Sequence, residues 1–239
     1  MGRRNRRSNF AILHKMDRGP IMTLATFTQL PAGDLVLASA SSIRAKILYD
    51  AGLGYRSYPV VIDEESVRAS ASAEAVPVGD IAIMLAEMKA AVAVQRLAFE
   101  TDPSPAYVLG CDQILACDEV IYNKPQDRAM AKAQIMALSG KTHQLFSAAV
   151  LYRNGARIWH HLAIAKITMR RLDEDFIESY LGRLGAAAFS SPASYQIENL
   201  GAHLLSRIDG CHFSIFGLPL LELLGILREH GLKPLETRQ

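Results

Sequence analysis

Asn154-Gly155 stands between two long β-rich runs, HQLFSAAVLYR before it and ARIWHHLAIAKITMR after it. An Asn-Gly pair takes the two consecutive positive-φ positions of a type I′ turn at little cost, and that turn twists in the same sense as the strands it joins. The chain is therefore predicted to contain a long antiparallel hairpin. Around it, apolar runs with strand character alternate with stretches of helical spacing, which predicts a mixed α/β protein.

The remaining elements follow from local signals. LVLASAS, residues 35 to 41, reads as a short buried strand, and SSIRAKILYDAGLG continues with helical spacing, capped by Ser41 or Ser42. YRSYPVVI reads as a second strand that ends at Asp63 and Glu64, and a helix is predicted from Gly79 to about Ala98. YVLGCDQILAC is a third strand, followed by a turn at Asp118-Glu119 and a short return. Asp127 is placed to cap a helix running to about Leu138, and acidic residues open a further helix in DEDFIESYLGRL, which suits the helix dipole. Residues 190 to 214 read as loop-rich, and Pro219 falls near the N1 position of a last helix through Leu227.

Composition narrows the classes. Half of the 239 residues are hydrophobic, enough for a real core in one large domain or two small lobes. The longest apolar stretches, such as GLPLLELLGIL, reach about half the ~20 residues a membrane span needs, so no membrane partner is expected. Cys111, Cys117 and Cys211 are odd in number and form no C-x-x-C, which fits reduced thiols in a cytoplasmic protein. The net charge of +2 is misleading. Residues 1 to 18 hold Arg3, Arg4, Arg6, Arg7, Lys15 and Arg18 against Asp17, leaving 20 basic and 23 acidic residues in the rest, a body of −3. Residues 1–33 are expected to be a basic, disordered extension, with Met22 as an alternative start, ahead of a single domain over 34–239. This leader lacks the apolar core of a secretory signal. Contact with nucleic acid is the lesser reading of its arginines.

Several motif fragments fail. Gly52-Leu53-Gly54 would open a dinucleotide fingerprint, but Ser57 stands where the third glycine belongs and the fragment follows a helix. The GKT of SGKTH lacks the P-loop glycine five residues before Gly140, where Ile135 stands. His160 and His161 are adjacent on a predicted strand, so they point to opposite faces and do not share a metal.

Three stretches survive. In LASASSIRAKIL a strand passes through small residues into a helix start, where free N–H groups and the dipole attract anions, and Arg44 in the first turn can fork onto phosphate oxygens. In VLGCDQILACDEVIYNKP, Asp112 sits in an apolar strand, where a charge is costly unless paired. One reading has Asp112 hydrogen-bonded to a neighbouring helix start. The other has it opening into a cleft with Lys89, Lys124 and Arg44 as cations and Glu64 as a second carboxylate, a set suited to a divalent metal and a polyphosphate. The third stretch, SYQIENLGAHLLSRIDGCHFSIFGLPLLELL, carries Glu198 among mostly neutral neighbours.

Taken together, LASASSIRAKIL, IDE, LAEMKA, GCDQ, NKP, LSGKTH and FGLP, in that order over residues 35 to 231, resemble the Maf family, the septum-formation-inhibitor-like nucleoside triphosphate pyrophosphatases. The resemblance implies a two-lobed α/β fold with a mixed sheet and a central cleft, often dimeric. It implies hydrolysis of a nucleoside triphosphate to the monophosphate and pyrophosphate with magnesium or manganese. Carried over, Asp112 is the proton acceptor, Ser39 and Ser41 line the phosphate loop, Arg44, Lys89 and Lys124 hold phosphates, and Glu64 joins Asp112 at the metal. The family's Pro-Arg pair is replaced here by Ser42 and Ile43. Gln113 and Glu198 resemble the branch that prefers 7-methyl-GTP, whereas Ile43 departs from the aromatic residue of that branch. The rival readings are a regulatory binding protein that releases no pyrophosphate, and a scavenger of damaged nucleotides like the inosine triphosphatases.

Overall fold

A computed structural model describes residues 35–100, 107–197 and 199–231. The basic extension at 1–33 and Glu198 lie outside the described residues.

The predicted hairpin is the spine of the molecule. Its strands, β5 (Thr142–Arg153) and β6 (Ala156–Met169), pair antiparallel from Thr142↔Thr168 to Arg153↔Ala156. Asn154 (φ 49°) and Gly155 (φ 80°) take the left-handed positions of the turn. β3 (Tyr107–Cys117) pairs antiparallel with β5. On the other side of β3 lie β1 (Leu35–Leu37), parallel, and β4 (Val120–Tyr122), antiparallel; β2 (Arg56–Ser57) lies parallel outside β1. β7 (Leu205–Asp209) closes the far edge against β6. The described sheet thus has seven strands in the order β2-β1-β3-β5-β6-β7, with β4 beside β3.

Alternation along β3 assigns its two faces. Tyr107, Leu109 and Cys111 face α1 (Ser42–Asp50) and α7 (Leu220–Glu229) in a core that includes Leu48, Leu218 and Leu223. Farther along the same face, Leu115 and Cys117 join a second core under α4 (Arg128–Leu138) and α5 (Glu174–Leu184), with Ile135, Leu138 and Leu181. Val108, Asp112 and Ile114 belong to the opposite face, where α3 (Val78–Leu97) and α2 (Glu64–Ala73) lie. The two cores on the first face form two lobes at opposite ends of β3, consistent with the mixed two-lobed α/β class expected from the sequence.

Some local signals behave differently from expectation. YRSYPVVI yields only the two-residue β2: the Tyr58 amide still donates to Leu37 O (2.9 Å), but Pro59 has no N–H and the ladder goes no further among the described residues. Asp63, read as a strand end, instead caps α2, accepting from the Ser66 amide (3.0 Å), with Glu64 and Glu65 in the first turn. Pro219 occupies the N-cap of α7, one residue before the predicted N1. The loop-rich segment 190–214 holds short 3₁₀ turns, β7 and the start of α6 (His212–Ile215).

Candidate active site

β3 is paired continuously, from Tyr107 to Ala116, on one side only. On the other side β1 covers residues 107–109 and β4 covers 115–117, so residues 110–114 face a gap between two strand ends. The chain also turns outward here: β1 leads through α1 to β2 on one side, then returns through α2 and α3 to β3 on the other. Such a switch point at the carboxyl end of a parallel strand leaves a crevice that binds ligands in α/β sheets.

The crevice is a cleft of about 670 Å³, lined by the 38–44 loop and α1 start, Glu64, Arg68, Lys89, residues 112–115, residues 122–124, and the 190–192 and 195–197 segment. That size suits a nucleotide-sized ligand. Every described residue singled out by sequence lies in it: Ser39, Ser41, Ile43, Arg44, Glu64, Lys89, Asp112, Gln113 and Lys124.

Asp112 lies at its floor, only 3% exposed, and is paired rather than bonded to a helix start. Lys89 Nζ donates to Asp112 Oδ1 at 2.7 Å and lies 2.6 Å from Glu64 Oε1. One buried ammonium is thereby shared by two carboxylates, and with Arg68 as the second cation the pairing offsets the desolvation of these groups. Burial works against the charged form of Glu64, but the hydrogen bond and charge of Lys89, with Arg68 behind them, hold its carboxyl below the usual range. Cys111 next door is excluded as a nucleophile, since burial pushes its thiol up to about 11.

Sequence reading missed Arg68. Its Nη2 lies 2.7 Å from Glu64 Oε2 and 3.6 Å from Asp112 Oδ2, and its Nη1 donates to Asn123 Oδ1 at 3.3 Å. The signal was present: Asp63 followed by two glutamates marks a helix start, and Arg68 stands four residues after Glu64, the spacing of a helical ion pair.

Arg44 braces the loop. Its Nε donates to Gly217 O (2.8 Å), and its Nη1 donates to Ser39 Oγ (3.1 Å) and Cys111 O (3.2 Å). The last bond fills the strand gap, satisfying a carbonyl that neither β1 nor β4 reaches. Gly217 has φ +87°, and a Cβ there would come within 3.1 Å of the guanidinium, so this approach needs glycine. Ser41 caps α1 through the Arg44 amide (3.3 Å). The Ser42 and Ile43 amides are free of hydrogen bonds among the described residues, leaving two donors at a helix N-terminus beside the cleft. Lys124 is exposed at the rim with no ion-pair partner among the described residues.

Gln113 points to the other face, toward α6. Its Nε2 lies within hydrogen-bond reach of Ser147 Oγ (2.8 Å), Ile215 O (3.0 Å) and Ser214 O (3.1 Å). With Nε2 committed, Oε1 is the atom Gln113 can offer a ligand. The 190–197 wall is also fixed. Tyr180 donates to Ser194 O (2.9 Å), Ala193 N donates to Gln134 Oε1 (3.0 Å), and fully buried His143 shares a 2.6 Å bond with Tyr195.

The donor set can be tested against a divalent metal. No group of three or more His, Cys, Asp or Glu side chains able to hold one occurs among the described residues. Two oxygen ligands, Glu64 and Asp112, do meet in the cleft, and Asp112 Oδ2 is buried without a hydrogen-bond partner. Magnesium characteristically takes one or two carboxylates and completes its shell from water and substrate phosphates, so the residues fit such an ion.

A family model described as Maf-like protein matches residues 34–230. The chain is 44% identical over 196 residues to a protein of Paramagnetospirillum magneticum named nucleoside triphosphate pyrophosphatase, covering 82% of this chain and 98% of that one. It is 43% identical to a Mesorhizobium japonicum protein named 7-methyl-GTP pyrophosphatase, covering 82% and 96%. A Brucella abortus protein of the same name is 44% identical, covering 81% and 94%. No helix among the described residues is long and apolar enough to cross a membrane. With the motifs, the cleft and a family match over most of its length in agreement, this chain belongs to the Maf family.

Proposed function

We propose that the protein hydrolyses a nucleoside triphosphate to the nucleoside monophosphate and pyrophosphate, with Asp112 accepting the proton of the attacking water. The observation that carries this reading is the Lys89 bridge, which keeps a buried carboxylate in place at the floor of a cleft next to a second one. A general base needs a fixed position within reach of the water, and the bond to Lys89 fixes it. The free amides of Ser42 and Ile43 and the rim ammonium of Lys124 present donors and charge to phosphate oxygens. Arg44 keeps that loop in shape. A magnesium or manganese ion, when bound, would be held by Glu64 and Asp112 and would neutralise triphosphate charge. Pyrophosphate release from a panel of standard and modified nucleoside triphosphates with magnesium tests the reading. Release by the native protein but not by Asp112→Asn supports it, whereas a binding protein releases none with any nucleotide.

Within that class we infer a guanine-like, 7-methylated base. The Gln113 Oε1 acceptor and the Glu198 carboxylate match the donors of a guanine edge, and two of the relatives above are named for 7-methyl-GTP. Glu198→Gln is expected to lower turnover of 7-methyl-GTP more than that of UTP; equal loss on both removes Glu198 from base reading. Three free cysteines suit a reducing cytoplasm, and family resemblance extends to a homodimer, which light scattering would detect.

A further inference from the structure

Lys89 occupies one edge of the Glu64–Asp112 pair, reaching Oε1 and Oδ1 at 2.6 and 2.7 Å. Arg68 occupies the other edge less well. It reaches Glu64 Oε2 at 2.7 Å but stops 3.6 Å from Asp112 Oδ2, beyond hydrogen-bonding distance. Two groups are left unsatisfied as a result: Asp112 Oδ2 and Arg68 Nε are both buried without a partner. Arg68 therefore cancels charge at this edge without completing its hydrogen bonds. Buried polar atoms without partners are costly, and a cation at Asp112 Oδ2 and an anion at the guanidinium would satisfy both.

Building on the reading above, we propose that Arg68 is a positioning residue that holds the metal-facing edge of Glu64 and Asp112 in the free protein and yields it to the divalent ion. Two carboxylates, Lys89 and Arg68 form a quartet whose charges cancel, so an arriving dication meets a pair already neutralised. Displacing Arg68 frees Oε2 and Oδ2 together. The guanidinium lies in the cleft beside Asn123 and near Lys124, where a phosphate can take it up with bidentate geometry. Metal entry and triphosphate entry are then linked: the ion evicts Arg68, and the phosphates receive it.

The test titrates the full-length protein with manganese alone, without nucleotide, by calorimetry or by the loss of free-ion electron paramagnetic resonance. Arg68→Met is expected to bind manganese about tenfold or more tightly than the native protein, because a positive charge beside both carboxylates is gone. Arg68→Lys, which retains charge, is expected to stay near the native value. Arg68→Gln removes the charge while keeping a polar side chain at this edge, and is expected to behave like Arg68→Met even if the methionine variant folds poorly. The gain must vanish in the Arg68→Gln, Asp112→Asn double variant. Unchanged or weaker manganese binding in Arg68→Gln, or a gain that survives in the double variant, overturns the proposal. Native protein that releases pyrophosphate while Arg68→Gln gains no manganese affinity removes this inference alone. Absence of pyrophosphate release from the native protein removes the functional reading instead.

Discussion

Gly110 lies so close beneath Ala86 that a Cβ on it would come within 2.1 Å of the Ala86 carbonyl oxygen and 2.9 Å of the Ala90 methyl. The missing side chain lets α3 settle onto β3, and Lys89, one turn after Ala86 and next to Ala90, thereby reaches Asp112 two residues along the strand. Gly110→Ala is expected to push the helix away, costing about 3 kcal/mol by overpacking and weakening the Lys89 bridge. Gly225 in α7 is the contrast, with nothing within 4 Å of its notional Cβ. Gly225→Ala is expected to stabilise by roughly 0.5–1 kcal/mol through helix propensity and unfolded-chain entropy. Urea denaturation of the two variants should move the midpoint in opposite directions.

Asp112→Asn preserves the shape of the side chain but cannot take a proton. Turnover is expected to fall at least ~100-fold, the low end for loss of a general base. Near-native kcat in a nucleotide-hydrolysis assay would exclude Asp112 as the base.

Lys89→Met removes the ammonium common to both carboxylates and leaves Asp112 buried beside Arg68 alone. Breaking a buried pair in this way is expected to cost about 3–5 kcal/mol, far more than the few tenths typical of surface changes. Equilibrium unfolding checks it, and a loss under 1 kcal/mol would mean that the bridge contributes little to the fold.

His143 gives the stability a pH dependence. Burial lowers its pKa from 6.5 to about 4, so the imidazole stays neutral in the fold while the unfolded chain takes up a proton in that window. Stability is therefore complete above about pH 6.5 and is lost as pH falls toward 4, by about 3 kcal/mol from this residue. Glu64, held low, adds loss in the same direction at the acid end. Comparing urea midpoints at about pH 7 and about pH 4.5 checks this, with His143→Gln expected to flatten the difference. An equal drop in both proteins would assign the acid sensitivity elsewhere.

What could be read in the chain was what local chemistry decides. Asn154-Gly155 set the hairpin, and Ser41, Asp127 and Asp173 cap their helices through the amides of Arg44, Met130 and Phe176. The misreadings came where a nearby cue admitted two outcomes. The apolar residues around Pro59 resemble a strand, but strand formation needs a partner, and among the described residues β1 offers one only as far as Tyr58. Asp63 can end a strand or start a helix, and choosing the first hid α2 and with it Arg68. The meeting of Lys89, Glu64 and Asp112 is one of two readings of a carboxylate in an apolar strand, and the family motifs favour it; residues from two helices and a strand converge only through tertiary packing. Arg44 illustrates the rest: its type and position suggested a phosphate ligand, while its bond to the Cys111 carbonyl depends on a strand gap that no spacing of letters announces.

That gap divides the labour of the cleft between stiff and adaptable parts. Asp112 rides on a strand laced to β5 from Tyr107 to Ala116, so its backbone amide should exchange with solvent only when the whole molecule opens. The opposite wall is made of turns held by individual bonds, such as Tyr180 to Ser194 O and His143 to Tyr195, with no strand ladder running through it among the described residues. Substitutions in those turns are thus expected to change the shape of the cleft while Asp112 stays where the sheet anchors it.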